Sequence, residues 1–227
     1  MTMRVISVLG SSPGVGKSTL CRALAEWLSG TGASVDHFEE EDILRRAAFR
    51  PVAEEFDGGA GSVRPATLVA CTRAYVAESL AQGRDYLLTD ALLPFIPSLV
   101  AWGHPEETLR RVIAELDRVV APAEIVLVYL RDDPEKALRR AIDREGSAWG
   151  DWYVAKLAAA PGTRAVHDLA SAAAHLRAEA ELTRRLLAES PWPVLTLDAG
   201  TLGARETQAR ARQYLTDLLM LPGCPAA

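Results

Sequence analysis

The chain has 227 residues, 49% of them hydrophobic and 24% charged, with a formal net charge of −5. That is enough apolar material for one sizeable core, and the acidic balance argues against a broad basic face for nucleic acid. The scattered Cys21, Cys71 and Cys224 lack metal-ligand spacing, no apolar run reaches the ~18 residues of a membrane helix, and Met1 leads into a strand-like segment without a signal peptide. A soluble cytoplasmic protein with no nucleic-acid or membrane partner is expected.

Short β-branched runs alternate with helical patterns along the chain. Arg4 to Leu9 reads as a buried strand. Lys17 to Ser29 carries a helical stripe of Leu20, Leu24, Trp27 and Leu28, with Gly30 as its stop. Ala33 to Phe38 reads as a second strand, residues 41 to 63 as irregular, and Ala66 to Gln82 as a helix. Asp85 to Asp90 is a third strand, and Pro105 to Val119 opens with helix-start chemistry. Glu124 to Leu130 is the clearest strand. Asp133 then caps a helix from Pro134 to about Glu145. Gly146 to Pro161 reads as a loop, Thr163 to Glu189 as a long helix, Pro193 to Leu197 as a fifth strand and Arg205 to Leu219 as the last helix. This alternation implies an α/β fold with a mostly parallel sheet whose ligands gather at the carboxyl ends of the strands.

The segment Leu9 to Leu20, LGSSPGVGKSTL, lies where the first strand turns into a helix. It approximates the phosphate-binding pattern G-x-x-x-x-G-K-[ST], except that Ser11 fills the first glycine slot and Gly10 sits one residue early. Gly14 and Gly16 let the nucleotide-binding loop Ser12, Pro13, Gly14, Val15, Gly16, Lys17, Ser18 and Thr19 turn its backbone N–H groups around an anion at a helix N-terminus. Lys17 would reach terminal phosphates and the Ser18 hydroxyl would coordinate Mg²⁺. ATP with Mg²⁺ is therefore the expected ligand pair.

Three stretches resemble the P-loop small-molecule kinases, the nucleoside and nucleotide kinase group with its thymidylate kinase-like and shikimate kinase-like members. They are SSPGVGKSTL, EIVLVYLRDDPEKALRRAIDREG and PVLTLDAGTLGARETQARARQYL. The resemblance implies a three-layer sandwich around a five-stranded parallel sheet in the order 2-3-1-4-5, with helices on both faces and a helical lid. It implies one domain over residues 1–220, with an acceptor-binding region at about 39–83, a lid at about 140–165 and a loose tail at 221–227.

The candidate catalytic residues follow from what phosphoryl transfer needs. Arg140 and Arg144 share one face of a helix whose apolar stripe is Ala137, Leu138, Ala141 and Ile142; they would bring positive charge to the transferred group, or form a solvated face. After the second strand, HFEEED offers Glu40 and Asp42 at the Phe-x-Asp-x-Asp spacing of shikimate kinase-like enzymes. Either could orient an acceptor hydroxyl and take its proton, and Glu39 and Glu41 remain alternatives. Asp90, at the tip of its strand, would hold Mg²⁺ or acceptor hydroxyls. The family's Asp-Arg or Glu-Arg pair is broken here by Ala91, which weakens a nucleoside or nucleotide acceptor. Arg45, Arg46, Arg50, Arg64 and Arg73 could clamp an anionic acceptor or serve as ordinary surface charge.

The expected activity is ATP-dependent phosphoryl transfer to a hydroxyl of a small molecule: a sugar, a nucleoside-like compound or a secondary metabolite. A true nucleoside or nucleotide kinase is one alternative. A nucleotide-dependent switch or regulatory ATPase is another, and it lacks a matching Asp-Glu or Asp-x-x-Gly strand end. A homodimer is compatible with the sequence, which fixes no oligomeric state.

Overall fold

The computed structural model describes residues 2–57, 62–90 and 92–219. Ala91 and the tail expected to be loose lie outside the described residues. Five parallel strands form one sheet in the order β2-β3-β1-β4-β5: β1 (Arg4–Gly10), β2 (Val35–Phe38), β3 (Tyr86–Asp90), β4 (Glu124–Arg131) and β5 (Val194–Asp198). β1 lies at the centre, with Val8 beside Asp90 of β3 and Gly10 beside Leu130 of β4. This is the α/β class and strand order expected from the sequence.

Both faces of the sheet are covered, which is why β1, β3 and β4 are apolar runs rather than alternating ones. On one face α1 (Lys17–Gly30) lays Leu20, Cys21, Leu24 and Leu28 against Ile6, Val8, Leu88 and Val128, and α9 (Ala199–Leu219) adds Ala211 and Leu215. On the other face, α3 (Pro65–Ala81), α5 (Glu106–Val120) and part of α8 (Leu169–Glu189) bury Leu68, Val76, Leu116 and Leu186 against Val5, Leu87 and Leu127. Each such side chain, fully buried, contributes about 1.5–3 kcal/mol. The short helices α2 (Arg50–Glu55) and α4 (Ile96–Ala101) complete that side.

The segment Gly146 to Pro161, expected to be a loop, is instead helix α7 (Ser147–Ala159). Its Tyr153 and Leu157 pack with Leu138 of α6 (Pro134–Glu145) and Ala172, Ala173 and Leu176 of α8 into a third, separate apolar cluster. Tertiary packing overrides the aromatic and glycine content that reads as loop. The long helix starts at Leu169 rather than Thr163, where Asp168 and Ser171 form a reciprocal cap. The last helix begins at Ala199 and breaks at Gly203 (φ 72°). The stretch after β2 is not irregular throughout: Glu40–Leu44 and Ala47–Phe49 are two 3-10 turns leading into α2. Among the described residues, no helix is long and apolar enough to cross a membrane.

Candidate functional site

The glycine-rich loop sits where the topology requires it, between the carboxyl end of the central strand and the N-terminus of α1. Gly14 (φ 77°) and Gly16 (φ 103°) hold left-handed backbone conformations, and Gly16 is the residue from which α1 springs. At Gly14 a Cβ would collide with the carbonyl oxygen of Ala137, so α6 presses directly on the loop. The early glycine also has a physical reason. A Cβ on Gly10 would strike Val15 and lie 2.7 Å from Cγ of Lys17, so the bare backbone there makes room for the lysine stem. Ser11, in the nominal glycine slot, is buried and used as a tether. Its N–H donates to Leu130 O at 2.9 Å, and its hydroxyl accepts from the Asp132 N–H at 3.3 Å. The altered pattern therefore ties the loop to the tip of β4.

Asp90 ends β3 beside this loop and is 3% exposed. Ser18 Oγ donates to its Oδ2 at 2.5 Å, while Oδ1 has no hydrogen-bond partner. Burial, the largest influence, pushes the Asp90 carboxyl up from its ordinary value; Lys17 and the Ser18 hydroxyl oppose the shift, and Glu40 adds to it. Ser12 Oγ and His37 Nε2 are likewise buried without a partner. A buried polar atom left unsatisfied costs about 1–3 kcal/mol, so atoms of this kind gathered around a glycine loop point to a ligand.

The donor set around Ser18 fits Mg²⁺. It supplies one hydroxyl and one buried carboxylate with a free oxygen, and Mg²⁺ takes few protein ligands, filling the rest of its octahedron with water and phosphate oxygens. Among the described residues, no group of three His, Cys, Asp or Glu side chains forms a metal cage elsewhere.

Of the acids after β2, Asp42 is committed to structure. Its carboxylate accepts from the Glu39 N–H at 3.2 Å and pairs with Arg46 at 3.0 Å. Glu40 is exposed, makes no ion pair among the described residues, and lies within electrostatic reach of Asp90. Arg46 is fixed rather than poised: it bridges Asp36, Asp42 and the His37 carbonyl and lies over the Phe38 and Tyr75 rings at 5.2 and 5.3 Å.

The two candidate arginines of α6 part company. Arg140 reaches the loop, donating to Gly14 O at 3.3 Å and pairing with the nearly buried Asp132. Arg144 is turned to solvent and paired with Glu145 at 2.7 Å. Arg140 also lines an open cavity of ≈ 320 Å³ beside the loop, walled by Thr19 of α1 and by Gly200, Gly203 and Gln208 of α9. Of the lid aromatics, Trp149 stacks on Tyr153 with rings 5.1 Å apart, and Trp152 is exposed under Lys156.

Sequence reasoning missed Asp132, whose role is visible only once α6 folds back on the loop. It also missed Glu179, an acid 8% exposed in the middle of α8, whose helical setting looks like any solvated position. No protein-family model matches this chain, and no curated protein resembles it in sequence.

Proposed function

We propose that this protein is an ATP-dependent phosphotransferase acting on a hydroxyl group of a small molecule. The observation that carries the reading is the Ser18–Asp90 pair at the mouth of the glycine loop, with one oxygen of a buried carboxylate left free and the acid Glu40 within electrostatic reach of it. The loop amides and Lys17 would bind the triphosphate, and Arg140 and the cavity beside it lie on the donor side. Ser18 and Asp90 would hold Mg²⁺, which when bound neutralises charge on the β- and γ-phosphates.

Glu40 orients the acceptor hydroxyl, Asp42 being engaged elsewhere. The acceptor oxygen forms a bond to the γ-phosphorus as the bond from that phosphorus to the β–γ bridging oxygen breaks. ADP departs, and the hydroxyl proton passes to the carboxylate of Glu40. Arg144 would contribute only by leaving Glu145.

A nucleoside or nucleotide kinase is less well supported. With Ala91 in place of arginine, it needs a free arginine facing Asp90, and those at 45, 46, 50 and 64 are each paired with a carboxylate. The test is a metabolite panel with ATP and Mg²⁺, read by mass for the gain of one phosphoryl group. Lys17→Ala and Asp90→Asn should each lower turnover by about 10²-fold or more, on the scale of losing a charge-stabilising group. Unchanged turnover in both variants would exclude this site.

A further inference from the structure

Asp132, the first residue beyond β4, is an acid that the proposed reaction leaves unused, and its side chain is only 5% exposed. A carboxylate taken out of water needs partners, and this one has two. Oδ1 accepts from the N–H of Asp133, the residue that caps α6, at 2.7 Å. Oδ2 pairs with Nη2 of Arg140, further along the same helix.

Three segments meet on Asp132. Its N–H donates to Ser11 Oγ at 3.3 Å, which ties it to the loop at the slot where the phosphate-binding pattern has glycine. A Cβ on Gly200 of α9 would collide with its carboxylate, so that turn of the chain packs flush against it. Arg140 donates in turn to Gly14 O, from Nε at 3.4 Å and from Nη2 at 3.3 Å. Gly14, Arg140 and Gly200 all line the ≈ 320 Å³ cavity beside the loop.

The side chain of Arg140 is 47% exposed, and a long stem in that setting is free to spread over many rotamers unless something holds its end. Ion pairs between two exposed groups hold little. This pair differs because its acid is shielded from water, so the carboxylate keeps its arginine. Nε and Nη2 are thus fixed on the loop and on Asp132, while Nη1 makes no hydrogen bond among the described residues.

We infer that Asp132 is a positioning residue for the nucleotide donor: it holds the Arg140 guanidinium against the glycine loop, so that the cavity between the loop and α9 is already shaped when ATP enters. The inference rests on the nucleotide-binding part of the reading above and adds to its donor site a residue that touches no ligand itself. Holding a side chain beforehand in its bound geometry removes the ordering cost from binding. Ser11 fits the same arrangement, since a glycine in that slot would leave the Asp132 N–H without its acceptor.

The test titrates the full chain with ATP and Mg²⁺ by calorimetry, with urea unfolding of each unliganded variant as the check of folding. Asp132→Asn, which keeps the shape and removes the charge, should raise the Kd about tenfold, as should Arg140→Ala. The double variant should bind no worse than Arg140→Ala alone, because Asp132 acts only through that arginine. A carboxylate that merely stabilised the fold would weaken binding by the same factor in both backgrounds, a loss of about a hundredfold in the double variant, and that result overturns the inference. So does an unchanged Kd in Asp132→Asn. If Asp132→Asn fails to fold, Gly200→Ala takes its place, because it keeps every charge and displaces the carboxylate. It should weaken ATP several-fold in wild type and no further in Arg140→Ala; equal losses in both backgrounds, or none, overturn the inference. Binding that fails only in Lys17→Ala keeps the donor reading and discards the role of Asp132. No binding of ATP by the wild-type chain discards both.

Discussion

At the scale of single residues, the glycine loop depends on two missing Cβ atoms for different reasons. Gly10 leaves room for Val15 and the Lys17 stem, and Gly14 combines a left-handed backbone with the close approach of Ala137. Gly14→Ala should therefore cost more than the ~1–2 kcal/mol of a left-handed L-residue, because α6 must also retreat. Denaturant unfolding would read this as a midpoint shift, and nucleotide affinity should fall with it. Away from the loop, Glu55 receives Arg64 N–H at 2.9 Å, Arg64 Nε at 2.8 Å and Thr67 Oγ1 at 2.6 Å, which hold its carboxyl down from 4.5 to about 2. A depressed acid stabilises the fold at pH above its unfolded value and loses that contribution as pH falls through its folded one. Wild type should accordingly be more stable than Glu55→Gln at pH 7, with the gap closing between pH 4.5 and about 2 in urea titrations at a series of pH values.

At the scale of elements, β2 and the 3-10 turns after it are held to α3 by one guanidinium. Arg46 gathers Asp36, Asp42 and the His37 carbonyl over the Phe38–Phe49–Tyr75 cluster. Removing one partner of a partly buried network strands the others, at about 3–5 kcal/mol when burial is complete. Because Arg46 keeps 28% of its side chain exposed, Arg46→Ala should cost roughly 2–3 kcal/mol in urea unfolding and loosen hydrogen-exchange protection of β2 first.

The sequence made β1, β3 and β4 legible because each is a largely apolar run bounded by a polar turn, and it made α6 legible through the Asp133 cap, whose carboxylate accepts from Lys136 N–H at 3.0 Å. Helix α7 was not legible. Its Trp149, Gly150, Trp152 and Tyr153 lack a simple stripe, and it is held by the Leu138–Tyr153–Ala172 cluster, which exists only when α6 and α8 are in place. The split between Arg140 and Arg144 was hidden for the same reason. Residues four apart share a helix face, yet only the upstream one meets the loop and Asp132. Asp42 matched a spacing, but the fold uses it as a cap and salt-bridge partner, leaving Glu40 free.

At the scale of the whole molecule, the parallel sheet brings β1, β3 and β4 to a common edge, so that the glycine loop, Asp90 and the Asp132–Arg140 pair converge from segments distant in sequence. The third apolar cluster of α6, α7 and α8 stands apart from the two that cover the sheet, and one of its helices touches the loop through Ala137. On the phosphotransferase reading, closure of that unit would keep water from competing with the acceptor. The central claim is transfer of phosphate rather than its release to water. It is tested most directly by following ATP consumption with and without a small-molecule hydroxyl acceptor while counting ADP, free phosphate and phosphorylated product together. The account predicts almost no turnover without acceptor and, with it, one phosphorylated product for each ADP. Steady release of free phosphate at a rate indifferent to any acceptor would contradict it.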